Sequence, residues 1–188
     1  MIYPLPALSD GRRPRVTSHY GELRDDGARR HLGVDILYPA APGDPAWPGY
    51  DTPARSRGSY MPARVPALAV LAGKVLRVTE GAYGWAVTIA TDLGLLRYVH
   101  LASTSVVPGR VVFPGEKIGI VGAPRPPRGP LRHLHLDLID GEGSQVDPEP
   151  LIRKTEVIPW PSVAYAGVAV AACLGTGYFL WRRYVSRR

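Results

Sequence analysis

The side chains able to do chemistry in this chain are its histidines. There are five, His19, His31, His100, His133 and His135. Four of them fall in three short patterns: His31-Leu-Gly-Val-Asp35, Tyr98-Val-His100-Leu101 and His133-Leu-His135-Leu-Asp137. In a strand, residues two apart share a face, with Cα atoms roughly 6.6 Å apart. His133 and His135 therefore lean toward one pocket, while Leu134, Leu136 and Leu138 face the core. One imidazole of such a pair can ligate a metal while the other touches a metal-bound water. His31 and Asp35 also share parity, but a fully extended chain would hold them roughly 13 Å apart. That is too far to share an ion bound at about 2.0–2.2 Å. The segment must curl for both to reach one metal, and Gly33, midway between them, is where a bend comes most easily. Two histidines and one carboxylate leave a fourth tetrahedral position for water, the layout of a catalytic zinc site rather than a closed structural one. The single cysteine, Cys173, excludes an internal disulfide framework and a Cys-rich zinc finger, so any metal must be held by His, Asp or Glu. His19 falls outside the three patterns and is set aside as non-essential.

These residues need strands to position them. From residue 65 onward the pattern is all-β: VPALAVLAGKVLRVT (65–79), WAVTIAT (85–91), LLRYVHL (95–101), VVFPGEKIGIVG (111–122) and RHLHLDLI (132–139). Each run is short, rich in Val, Ile or Leu, and bounded by Gly, Pro or Asp turns. The spacing predicts an antiparallel barrel or sandwich. A further short apolar strand ends the polar stretch 16–38, and residues 1–15 read as a loose, Pro-rich, basic lead. Residues 39–64, rich in Pro, Gly, Ala and Ser, read as a long loop, a feature that often serves as a lid or substrate wall. No convincing helical periodicity occurs before residue 160, and there is no solenoid repeat.

With 188 residues the chain has room for one domain and little more. Gly (21) and Pro (20) are enriched, but 45% hydrophobic and 21% charged residues is ordinary globular composition, which excludes disorder and collagen. Of the formal charge of +7, four belong to Arg182, Arg183, Arg187 and Arg188, leaving 7 − 4 = +3 for residues 1–181. The basic balance is thus partly a tail effect. No nucleic-acid motif is present, and nucleic acid is not expected as a partner. The N-terminus lacks the basic and apolar regions of a secretory signal. Residues 163–181 (VAYAGVAVAACLGTGYFLW) form a 19-residue run without a charge. At about 1.5 Å per residue this spans ~28 Å, close to the hydrocarbon thickness of a bilayer. Trp160 precedes it, and Tyr178, Trp181 and Tyr184 mark its other end. The run is therefore predicted to be one transmembrane helix. The arginines place the tail in the cytoplasm and the N-terminal domain outside.

The stretches VTSHYGELR (16–24), RRHLGVDI (29–36), LAGKVLRV (71–78), YGWAVTIATDLGLLRYVHLAS (83–103), VVFPGEKIGIVG (111–122), HLHLDL (133–138) and VDPEPLI (146–152) resemble the lysostaphin-type, LytM-like zinc endopeptidases of cell-wall peptidoglycan. They occur in that family's order and cover most of residues 16–152. The resemblance implies an antiparallel β fold with a narrow groove between loops. It implies one zinc per chain, held by His31, Asp35 and His135, with His133 and His100 as the catalytic pair beside it. It also implies a substrate among peptidoglycan peptide stems or cross-bridges. The chain departs from the family in its 39–64 insertion, in Asp137 where Glu is common, and in a Pro-rich turn (GAPRPPRGP, 122–130) where Gly, Ser and Thr are usual. Arg29 and Arg30 flank His31, either to meet acidic groups of the wall or to solvate a loop.

On this reading the domain plan is a lead over 1–15, a peptidase domain over 16–155, a linker over 156–162, a transmembrane helix over 163–181 and a basic tail over 182–188. The expected fold class is all-β, a barrel-like antiparallel sheet followed by one membrane helix. No HExxH glutamate is present, so histidine is the natural proton acceptor, with an ordinary pKa suited to neutral pH. His133 is the favoured base because its parity with His135 fixes it near the metal. His100 would orient water or stabilise the tetrahedral intermediate, and the two roles are interchangeable at this level. Asp137, of the same parity as His135, is either the acceptor for its second ring nitrogen or a solvent-facing strand-end residue. Two other classes compete. One is a non-catalytic peptidoglycan-binding or activator module of the same fold, against which stand the filled ligand positions. The other is a carrier barrel, since VVFPGEKIGIVG is similar to lipoyl-domain hairpins. The expected location is a membrane-tethered domain on the cell-wall side, with a phage virion as the alternative.

Overall fold

The computed structural model describes residues 1–44, 58–124 and 131–160. The membrane-helix expectation over 163–181, the tail over 182–188 and most of the Pro-rich turn fall outside the described residues. Among the described residues no helix is long and apolar enough to cross a membrane.

The regular structure of the described residues is mainly antiparallel strands: β1 (Arg15–Ser18), β2 (Leu23–Arg24), β3 (Arg29–Arg30), β4 (Val34–Pro39), β5 (Ser59–Tyr60), β6 (Pro66–Leu68), β7 (Gly73–Gly81), β8 (Gly84–Thr91), β9 (Gly94–Thr104), β10 (Val111–Val112), β11 (Lys117–Val121), β12 (Leu134–Ile139) and β13 (Gln145–Val146). One helical turn, α1 (Glu149–Ile152), follows. The main sheet runs β1-β4-β12-β9-β8-β7-β10, with β11 pairing both β9 and β6, β13 pairing β12, and β5 pairing β4. It stays open. The expected antiparallel all-β fold is present, but it is not a closed barrel.

Alternation explains which strands form and which face each buries. Leu134 and Leu136 of β12, Ile36 and Tyr38 of β4, Leu96 and Tyr98 of β9, and Val87 and Ile89 of β8 are essentially inaccessible and make one core. The hairpins β7–β8 and β8–β9 turn over two residues each, as the pairs Gly81↔Gly84 and Thr91↔Gly94 show.

Three sequence expectations are corrected in detail. The runs 65–79 and 111–122 each break into two strands. Gly73 starts β7 where a Cβ would lie 2.2 Å from the Ala90 carbonyl oxygen, and Pro114-Gly115 turns the chain with Gly115 at φ 82°. The loop expected over 39–64 is corrected at its ends, where Ser59 and Tyr60 pair with Pro39 and Tyr38, while residues 45–57 lie outside the described residues. Residues 1–15 are not loose. Tyr3, Leu5 and Leu8 are buried in the core, and Ile2 and Ala7 bridge in parallel to Glu156 and Pro159.

Candidate functional site

The site gathers around β12, which lies between β4 and β9. His135 of β12 stands directly opposite Asp35 of β4 on one side and Val99 of β9 on the other. Directly opposed residues share a face, so His135 and Asp35 meet without any rearrangement. His31 lies three residues before β4, where the chain has left the strand. The curl brings its Nε2 to 3.1 Å from Asp35 Oδ1 and 3.1 Å from His135 Nδ1, while His135 Nδ1 is 2.8 Å from Asp35 Oδ1. Gly33 permits this by its size rather than by a left-handed backbone. A Cβ there would sit 2.5 Å from the Leu136 carbonyl oxygen and 2.9 Å from the His135 ring.

The other ring nitrogens are committed. A carbonyl oxygen can only accept, so His31 donates its Nδ1 proton to the His19 carbonyl at 2.9 Å, leaving Nε2 as a lone pair. His135 donates from Nε2 to Asp137 Oδ1 at 2.7 Å, leaving Nδ1 for Asp35 and His31. Asp137 is wholly buried and is held in turn by Arg97 from the opposed position on β9. The sequence alternative of a solvent-facing Asp137 is thereby excluded.

His133 and His100 lie beside this trio. Their ring centroids are 4.4 Å apart, and His100 is 5.8 Å from His135. Each donates its Nδ1 proton to a backbone carbonyl, His133 to Leu131 and His100 to Tyr83, both at 2.9 Å. Each Nε2 is therefore an acceptor, and His133 Nε2 is 3.6 Å from Asp35 Oδ1. His100 reaches the site through a bulge. Strand parity groups it with Tyr98, whose ring is in the core. Between the pairs Val87↔Tyr98 and Trp85↔Leu101, β9 carries one residue more than β8, and His100 takes a left-handed φ of 65°. A non-glycine residue in that region is strained, and such strain tends to sit at functional positions.

The electrostatics separate the two groups. Burial, the largest influence, pushes the His100 pKa down to about 3, and the neighbouring His133 adds to it. Burial also lowers that of His133. Both rings are thus neutral near pH 7. Burial would likewise lower His135, but hydrogen bonds to Asp137 and Asp35 outweigh it and raise its pKa to about 9. Asp35 is pulled well below the usual carboxylate range, because the hydrogen bond from His135 overcomes the opposing effect of burial.

The donor set fits a divalent cation. Asp35 Oδ1, His31 Nε2 and His135 Nδ1 converge, and these three residues form the metal-competent group found among the described residues. A proton can bridge one pair of these atoms at a time, whereas one cation satisfies all three. Tetrahedral bonds of about 2.0–2.2 Å imply ligand separations of roughly 3.4 Å, a few tenths of an ångström beyond those seen here. Two imidazoles and a carboxylate are also a zinc-type set.

Several residues of this neighbourhood escape the sequence patterns. Arg24 donates to Asp35 Oδ2 at 2.7 Å, and Arg97 secures Asp137. Only the strand register could have pointed to Arg97. His19, outside the three histidine patterns, supplies the carbonyl that orients His31, and its own ring meets Glu149 at 2.6 Å. Arg29 and Arg30 are exposed and bond within their hairpin, to Asp25 and to the Gly21 carbonyl.

Residues 56–148 match Peptidase family M23. The matched stretch contains His100, His133 and His135 and starts after His31 and Asp35. No curated protein matches the chain. Among solved structures, the catalytic domain of lysostaphin from Staphylococcus simulans is 19% identical, with 77% of this chain and 95% of that one covered at a TM-score of 0.55. A variant of the catalytic domain of EnpA, a prophage-encoded M23 protein from Enterococcus faecalis, is 22% identical, with 78% and 95% covered at 0.52. A zinc-containing peptidase from Vibrio cholerae is 21% identical, with 84% and 41% covered at 0.54. At these identities the likeness is one of fold.

Proposed function

From the match of residues 56–148 to peptidase family M23 we propose that this chain is a zinc-dependent endopeptidase hydrolysing peptide bonds of bacterial peptidoglycan. The observation that carries this reading is the convergence of Asp35 Oδ1, His31 Nε2 and His135 Nδ1 beside His133 and His100, whose Nδ1 atoms are committed to carbonyls so that each Nε2 is an acceptor.

His31, Asp35 and His135 would hold one zinc per chain. Bound there, zinc supplies an acidified water and a polarised carbonyl. The remaining chemistry belongs to the chain. His133 Nε2 accepts the proton of the attacking water and returns it to the leaving amine, which makes His133 the general base and then the acid. His100 offers the same kind of atom. With Nδ1 committed to the Tyr83 carbonyl, the neutral ring is an acceptor and not a donor, so His100 orients the water rather than stabilising an oxyanion. Burial keeps both rings unprotonated at rest, so each Nε2 holds a lone pair. Substrates are stem or cross-bridge peptides of the wall. In location, the domain faces the cell-wall side of a membrane, tethered by residues 163–181, with a phage virion as the alternative.

The deciding experiment is metal analysis of purified protein together with wall lysis. One zinc per chain is expected, with lytic activity that a chelator removes and added zinc restores. Protein that takes up no zinc yet digests peptidoglycan in excess chelator would refute the reading. For the location, external protease should digest the domain in spheroplasts, and protection there would reverse the orientation.

A further inference from the structure

Arg24 belongs to none of the histidine patterns, yet its guanidinium meets Asp35 at the back of the site. Its Nη2 donates to Asp35 Oδ2 at 2.7 Å and to Ser18 Oγ at 2.6 Å. The two oxygens of Asp35 are therefore divided. Oδ2 is taken by Arg24, while Oδ1 faces His31, His135 and, at 3.6 Å, His133. The support behind Arg24 is itself fixed. Ser18 is buried, stands opposite Asp35 in the β1–β4 register, and gives its own proton to Glu22. Its lone pair is thus the part left for Arg24.

The guanidinium also carries an uncompensated atom. Arg24 Nε is buried and has no hydrogen-bond partner among the described residues. A bare buried N–H costs free energy, and most such groups in folded proteins are satisfied. The side chain therefore sits where Nη2 bonds best, at the expense of Nε.

We propose that Arg24 is a positioning residue for the metal centre, holding Asp35 so that only Oδ1 is presented to the cation. This rests on the zinc-site reading above. A carboxylate with both oxygens free can rotate and close on a cation through both of them. The second oxygen would then join as a fifth ligand, crowding the position which a catalytic site keeps for water or substrate. Outer partners of this kind typically change metal affinity by about 10–100-fold when removed.

The test uses the full-length protein, Co2+ in place of zinc, and the variants Arg24→Met and Arg24→Gln. Co2+ absorbs strongly in a four-coordinate site and weakly when a further oxygen ligand joins. The wild type is expected to give the four-coordinate spectrum. The variants are expected to give a weaker, shifted one, with zinc affinity from chelator competition lowered by about 10–100-fold. A variant that merely loosened the fold would lose affinity without changing coordination. A wild-type spectrum from whichever variant folds, whatever its affinity, overturns the proposal. If neither folds, Arg24 is a structural residue and the positioning role falls with it. A wild-type chain that takes up no Co2+ removes the metal-site reading instead, a distinct failure from bound metal in an unaltered site.

Discussion

His31, His100 and His133 each give the Nδ1 proton to a backbone carbonyl, whereas His135 gives its Nε2 proton to Asp137. These four bonds set which ring nitrogen faces the centre, and they separate candidate ligands from candidate bases more finely than residue type does. His135→Ala should lose metal and activity together. His133→Ala should keep most of its zinc while activity falls by about 10²–10⁴-fold, the usual scale for a general base. Zinc content and wall lysis measured on the same preparations check both, and full activity in His133→Ala would remove that residue from the base role. Asp137→Ala should weaken zinc binding by about 10–100-fold, read by chelator competition, because His135 loses the acceptor that orients it. The histidine and aspartate positions are legible in the sequence because type and strand parity suffice to group them. The carbonyls of His19, Tyr83 and Leu131 are not, since any residue carries one and only the folded path aims it. Arg24 and Arg97 are hidden for a related reason: a lone arginine is ordinary until the register puts a carboxylate opposite or behind it.

The same limit appears at the level of elements, where close approach and irregularity do the positioning. Gly33 lets the turn before β4 lie against β12, with no room for a Cβ between it and the Leu136 carbonyl. Gly33→Ala should cost about 1–3 kcal/mol, the range for overpacking against a backbone that must move. It should also lower zinc affinity, since the displaced atoms include the His135 ring. Urea unfolding and chelator competition on one preparation check this, and an unchanged zinc affinity would detach Gly33 from the site. Strands β8, β9 and β12 are legible because their apolar residues alternate or run unbroken between turn residues. The curl of His31 was required by distance alone once His31 and Asp35 were paired. The bulge at His100 left no such trace. Its left-handed φ of 65° falls inside a run that alternates like any strand, opposite a neighbour whose register shifts there. Likewise the prolines and arginines of segment 1–15 suggest a loose lead. Its burial follows from Tyr3, Leu5 and Leu8 reaching a core that lies far away in sequence.

Across the whole molecule, the two ends of the described domain are tied together, and one tie titrates. The N-terminal segment runs beside residues 156–160 through bonds such as Tyr3 N–H to the Glu156 carbonyl and Trp160 N–H to the Ala7 carbonyl. Closer to the site, His19 Nδ1 meets Glu149 at the start of α1, and Glu149 also accepts from Arg153. The bond to Glu149 outweighs burial and raises the His19 pKa above its ordinary 6.5. Burial would raise Glu149, but His19 and Arg153 bring it below its ordinary 4.5. The signs then fix a window. The His19 contribution is full below pH 6.5 and fades as pH climbs through the raised value. The Glu149 contribution is full above pH 4.5 and fades as pH drops through the lowered value. The pair therefore stabilises most between those limits. His19 is half exposed, so solvent screening keeps the gain to no more than about 1 kcal/mol. In His19→Gln, thermal melts of zinc-saturated protein should show the largest Tm deficit, up to ~2–4 °C, between pH 4.5 and 6.5. The deficit should shrink toward alkaline pH, where wild-type His19 is neutral, and also in acid, where Glu149 is protonated. A deficit that stays constant across the whole range would assign the loss to packing and remove the ion pair from the account.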